Sequence, residues 1–166
     1  MKDSADRHVE RWRNWEAIPF DEEVEAAVVR MDLLVKHLRR TKTDAIAEVG
    51  LQAHEYDTLH VLMIRDTPGH ATPSELARDL MVSPAGITGR LDSLEKSGYL
   101  RRIRVDDDRR RVDVEITDLG FSRWQQAMHL RGHAEEQLLT VLSPTDRKSL
   151  NRLLKKMLLH IEHPPS

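Results

Sequence analysis

Apolar residues recur along this chain at a helical period almost everywhere, and at a period of two in one short stretch. Val24, Val28, Met31, Leu34, Val35 and Leu38 lie three or four residues apart, following Asp21 as a capping side chain and Glu22 and Glu23 in a first turn that favours negative charge. The spacing predicts a helix over 21–48, stopped by Gly50. A second is expected over 51–65, with Tyr56, Leu59, Leu62 and Met63 inward, before a turn at Asp66-Thr67-Pro68-Gly69. Thr72-Pro73-Ser74-Glu75 and Ser83-Pro84 then repeat one start signal, a hydroxyl cap followed by a proline at the first helical position. Leu76, Ala77 and Leu80, then Ile87, Leu91 and Leu94, give the two short helices their inner faces. The starts are too close for anything but a tight turn, so 72–97 reads as a helix-turn-helix, with Gly98 where a C-cap needs positive φ.

The period changes at Tyr99. Residues 99–105 and 112–117 alternate apolar and polar, as half-buried strands do, around Asp106-Asp107-Asp108-Arg109-Arg110-Arg111, which has no apolar residue. Thr117 caps a long helix expected over 118–142, and Ser143-Pro144-Thr145-Asp146 starts the last one. There Leu150, Leu153, Leu154, Met157, Leu158 and Ile161 make a stripe wide enough for a helix partner. Ahead of all this, 4–16 reads as a short extra helix with Ala5, Val9 and Trp12 on one side, separated from the rest by Pro19. The expected fold is mainly α with a small β wing: an extra helix in 1–18, then a winged helix-turn-helix body over 20–163 with the wing at 99–117. The long helices 21–48 and 118–162 have apolar stripes with no remaining partner in the chain, and pairing them with a second subunit is the economical solution.

With Ile87, Leu91 and Leu94 buried, the helix starting at Ser83 turns outward Ser83, Ala85, Gly86, Thr88, Gly89 and Arg90. Small residues let a helix approach a surface closely, and hydroxyls with one arginine can bond base edges and phosphates. The same pattern also fits a plain capped surface helix. The arginine-tipped hairpin shifts that balance, because Arg109, Arg110 and Arg111 could reach a minor groove, although the run by itself also fits a solvated, self-neutralising turn. Composition sets limits. The chain of 166 residues has net charge −2, so basic charge is local: 90–111 holds eight Arg and Lys against five acids. Cysteine is absent, which removes disulfides, thiolate metal sites and cysteine redox chemistry. No signal peptide or membrane-length apolar run is present, so a cytoplasmic protein without membrane contact is expected. Neither a phosphate loop nor a nucleophile with a base stands out, and no enzyme is expected. His129/His133 and His160/His163 have zinc-like spacings, but two ligands are a fragment of a site, and neither metal nor cofactor is expected.

The ordered set of helix-turn-helix, then Gly98, Tyr99, Leu100 and Arg102, then Asp107, Asp108, Arg109 and Arg110, then Val112, Val114, Ile116, Thr117 and Gly120 resembles the MarR family of winged-helix transcription regulators over roughly residues 20–160. The resemblance implies a homodimer, joined by helices from both termini, that binds palindromic double-stranded DNA, usually as a repressor. An extra N-terminal helix carrying tryptophan resembles the subgroup that responds to urate or small carboxylates. That likeness implies a pocket for a small anionic effector: Trp12 or Trp15 from the extra helix, Asp57, and Arg90 from the DNA-reading helix. The subgroup's further arginine lies seven residues after the aspartate. Here Ile64 stands at that position and Arg65 follows, about 100° further around the helix. A structural ion pair between Asp57 and Arg90 would account for the same two residues. Two other functions remain open at this point: a winged-helix module that binds protein, and a metal-responsive regulator using histidines.

Overall fold

Local signals and long-range packing meet in a computed structural model that describes residues 1–13, 19–104 and 112–164. Among the described residues seven helices and three strands follow in order: α1 (Ser4–Trp12), α2 (Glu22–Glu48), α3 (Ala53–Met63), β1 (His70–Ala71), α4 (Pro73–Asp79), α5 (Pro84–Lys96), β2 (Leu100–Arg104), β3 (Val112–Ile116), α6 (Asp118–Leu139) and α7 (Pro144–Glu162). The capping residues read from the sequence cap as expected. Asp21 accepts from the Glu23 and Val24 amides, Thr72 forms a reciprocal box with Glu75, and Ser83, Thr117 and Ser143 each accept from the amide three residues on.

Some boundaries differ from expectation. The helix expected over 51–65 is shorter, because Gln52 and Glu55 form a capping box and Leu51 is buried ahead of it. The helix expected to reach 142 ends at Leu139, where Thr140 turns its hydroxyl onto the Gln137 carbonyl. Among the described residues the extra helix ends at Trp12; its expected extension to 16, including Trp15, lies outside them. β1 was not expected at all. Two residues are too few to show alternation, and the strand exists only because His70 and Ala71 pair with Glu115 and Val114. It completes an antiparallel sheet of order β1-β3-β2. The hairpin of β2 and β3 is the expected wing, and its tip with Arg109, Arg110 and Arg111 lies outside the described residues.

One core holds the winged part together. Tyr56, Leu59 and Leu62 from α3 meet Leu76 from α4, Leu91 and Leu94 from α5, Leu100, Val114, and Ala127 from α6, all nearly or fully buried. α6 is locked to this core at its first turn. Thr117 donates its hydroxyl to the Gly98 carbonyl at 2.6 Å and its amide to the Tyr99 carbonyl at 3.0 Å. Gly120 lies so close to Tyr99 that a Cβ there would stand 1.9 Å from the Tyr99 carbonyl oxygen.

The two long flanking helices look different. α2 buries only Ala45 and Ile46, leaving Val24, Val28, Leu34 and Val35 open, and α7 buries nothing. α1 lies along the first half of α2. Ala5 and Val9 are buried there, and polar contacts flank them: Arg30 with Asp3 (2.8 Å) and Asp6 (2.6 Å), His8 with Glu25 (2.8 Å), and Arg13 with Glu22. No helix among the described residues is long and apolar enough to cross a membrane.

Candidate nucleic-acid interface

α5 is fixed on its inner side by three kinds of contact. Ile87, Leu91 and Leu94 are in the core. Ser93 donates its hydroxyl to Glu55 at 3.0 Å, and that carboxylate, buried in α3, also accepts from the Gln52 amide. Arg102 on β2 reaches Asp92 at 2.6 Å and also pairs with Glu95, which ties the wing to the helix and neutralises two carboxylates on α5. The two acids in turn raise the Arg102 pKa.

The outer side carries little. Ser83, Ala85, Gly86, Thr88 and Gly89 are exposed, and Arg90 is half-buried. Ser83 caps the helix by accepting from the Gly86 amide at 3.1 Å, which leaves its own O–H free to donate outward. Thr88 donates to the Pro84 carbonyl at 2.9 Å, so its oxygen is left to accept. A Cβ on Gly89 would meet nothing within 4 Å. The result is a smooth helical ridge with acceptors, a free hydroxyl donor and a cation, the shape and chemistry a major groove admits.

The basic charge of this region divides unevenly. Arg101 pairs with Glu115, which also faces His70 at 3.3 Å, and Arg102 is occupied by α5. Arg90 and Lys96 make no hydrogen bond or ion pair with any described residue, so their charge is available to phosphates.

The residues suggested for an effector pocket do not converge within one subunit. Trp12 lies beside His8 and Phe20, with ring centroids 6.1 and 6.3 Å away, at the start of α2. Asp57 accepts from Lys42 at 2.9 Å, near the other end of α2 and about 18 Å beyond Arg30 at 1.5 Å per residue. That ion pair, not one with Arg90, is what Asp57 makes. Arg65 turns the other way and clamps α3 to α4 through Asp79 and through Glu75 at 3.5 Å. Trp15 lies outside the described residues.

Sequence reasoning missed a cluster beside Asp57. Lys42 stands 5.2 Å from the centre of the Tyr56 ring, and Arg131 on α6 lies 3.5 Å from the Tyr56 hydroxyl. Tyr56 stacks on His60 at 5.5 Å, and Trp124 donates its indole N–H to the His60 ring at 3.3 Å. Burial first, and then the charges of Arg131 and Lys42, hold the His60 pKa below its ordinary value, with Asp57 opposing them. Tyr56 and His60 at i, i+4 share one face of α3, a legible hint. Their partners from α2 and α6 left no local signal. Among the described residues no three of His, Cys, Asp and Glu are placed to hold a metal ion, so neither histidine pair gains a third such ligand there.

A model of the MarR family matches residues 49–111, the stretch from just after α2 to the end of the segment that precedes β3. The chain is 31% identical over 158 residues to the HTH-type transcriptional regulator PecS of Dickeya dadantii, covering 92% of each. Among solved structures it is similar to apo MarR from E. coli, with 26% identity, a TM-score of 0.62, and coverage of 86% of this chain and 98% of that one. It shares its fold with S. aureus MepR in complex with DNA, at 18% identity and a TM-score of 0.66 over 78% of this chain and 96% of that one. A winged helix-turn-helix with an open reading helix and this likeness to PecS along nearly its whole length place the chain in the MarR family, as a DNA-binding transcription regulator.

Proposed function

We propose that the protein acts as a homodimeric repressor in the cytoplasm, binds an inverted-repeat operator and is released by a small anionic organic effector. The observation that carries DNA reading is the bare outer side of α5 with Arg90, which pairs with no described residue. Dimerisation is supported by α7, where Leu153, Leu154, Met157, Leu158 and Ile161 remain 45–74% exposed, and by the open stripe of α2. Single exposed apolar residues are ordinary; two long helices with continuous uncovered stripes are not. In a twofold dimer the two α5 helices would meet half-sites about one helical turn, ~34–36 Å, apart.

An anion suits the junction of α2, α3 and α6, where Lys42 and Arg131 flank Tyr56 beside a neutral His60. Of the suggested pocket residues, Asp57 and Arg90 belong to the winged half, Arg65 is already engaged by α4, and Trp12 would join them only from a second subunit. An effector that binds the DNA-free arrangement better, drawing Arg90 away from the groove, lowers operator affinity by that difference. The test is a gel-shift titration on DNA upstream of the protein's own gene at two salt concentrations, with and without urate or citrate. Affinity should fall steeply with salt, and either anion should release the wild type but not Arg90→Ala. Salt-independent binding, or normal release of the variant, would sink the proposal. A winged-helix module that binds protein would leave the duplex unshifted.

A further inference from the structure

Three helices of this chain end in the same way. After α2, Gly50 and Leu51 donate back to Ala47 and Ile46; after α5, Gly98 and Tyr99 donate back to Glu95 and Leu94. After α4, Met81 donates to Arg78 at 3.1 Å and Val82 to Ala77 at 2.9 Å. This double bond pattern needs a left-handed residue at its corner, and glycine is preferred because a Cβ there crowds the following carbonyl. Gly50 has φ 72° and Gly98 φ 73°, but the third corner is Met81, at φ 53°. It is the one non-glycine with positive φ among the described residues.

Nothing in the fold repays this. The Met81 side chain is 92% exposed, so it contributes no burial. The backbone would be easier with glycine and the surface easier with a polar residue. A strained residue that is also a bare apolar one points to a task outside the fold. Its place names the task. Met81 occupies the turn of the helix-turn-helix, two residues before the Ser83 cap, at the end of α5 where Ser83, Ala85 and Gly86 are open. Recognition helices meet base edges with their N-terminal residues. The apolar group that bases present in the major groove is the C5 methyl of thymine.

We propose that Met81 is a specificity-determining residue that packs on a thymine methyl at the operator. The inference rests on the reading of α5 as the helix that enters DNA. The experiment footprints wild-type protein on the DNA upstream of its own gene, then replaces each protected thymine in turn by uracil, which removes only that methyl. Wild type, Met81→Gly and Met81→Leu are titrated on each duplex. One uracil position should weaken wild type about fourfold, the ratio that burial of one methyl supplies. Met81→Gly should lose about as much on the unmodified duplex and nothing further at that position, while Met81→Leu keeps most of the affinity. Met81→Gly should also melt roughly 2–4 °C higher as the backbone strain is relieved. Undiminished binding by Met81→Gly, or a loss that stays the same whichever thymine is replaced, overturns the assignment. If wild type protects no upstream DNA, the DNA-reading assignment of α5 fails first and takes this one with it.

Discussion

Gly120→Ala adds one methyl group to the first turn of α6, and the structure says what that methyl meets. The new Cβ would lie 1.9 Å from the Tyr99 carbonyl oxygen, 2.8 Å from its carbon and 3.0 Å from Ile116 Cγ1. A carbon tolerates a carbonyl oxygen at about 3.3 Å, so one backbone must retreat by about 1.4 Å. Neither is free to do so. The Tyr99 carbonyl accepts the Thr117 amide at 3.0 Å, and Thr117 is bound to Gly98 and caps α6. Forcing a methyl group into a packed site costs about 1–3 kcal/mol. Losing the Tyr99–Thr117 hydrogen bond adds about 1 kcal/mol. Better helix propensity returns less than ~1 kcal/mol, because Gly120 is in the first turn. The net expectation is a loss of about 2–3 kcal/mol, a large part of the ~5–15 kcal/mol that keeps a domain folded. Urea unfolding followed by circular dichroism measures it, with Gly132→Ala as the control. That second substitution, on the same helix, meets nothing within 4 Å and should be neutral or slightly stabilising. A Gly120→Ala protein within about 0.5 kcal/mol of wild type would refute the close-approach reasoning.

Three other outcomes follow from the same geometry. Gly89→Ala meets no protein atom within 4 Å and should raise stability by up to ~1 kcal/mol, yet weaken operator binding, because its methyl projects from the open ridge of α5; equal or tighter binding would count against that ridge as the DNA face. Arg102→Ala should cost about 1 kcal/mol of stability, its partners being substantially exposed, and should weaken DNA binding most at low salt, since Asp92 and Glu95 are then left negative on α5. His60 is held neutral in the fold, so the unfolded chain takes up a proton as pH falls through about 6.5 before the folded chain does. Stability is therefore lost as pH drops through that value and levels off below the folded pKa, and a His60→Gln protein compared by urea midpoints at pH 7.5 and 5.5 should have a shallower dependence.

Much of this molecule was decided within a few residues at a time. Thr72, Ser83, Thr117 and Ser143 cap helices by accepting from the amides three positions on, and Ile87, Leu91 and Leu94 choose the buried side of α5 by their spacing alone. Such signals act over one helical turn, so the chain displays them before it folds, and with them the open face of α5. Long-range pairings carry no such mark. β1 exists only because β3 is there to bond it. Arg65 was a candidate effector ligand by position, but side-chain direction and two acids on α4 make it a clamp. The His60 site draws Lys42 and Tyr56 from the neighbouring helices α2 and α3, and Trp124 and Arg131 from α6, which begins more than fifty residues after α3 ends. Only packing could decide that a glycine at 120 must face a carbonyl, or that methionine must hold a left-handed corner at 81. The sequence by itself determined which helices form and which side each presents. Tertiary structure decided which charges are consumed inside the fold and which, like Arg90, pair with no described residue, because an ion pair depends on where two distant backbones come to rest.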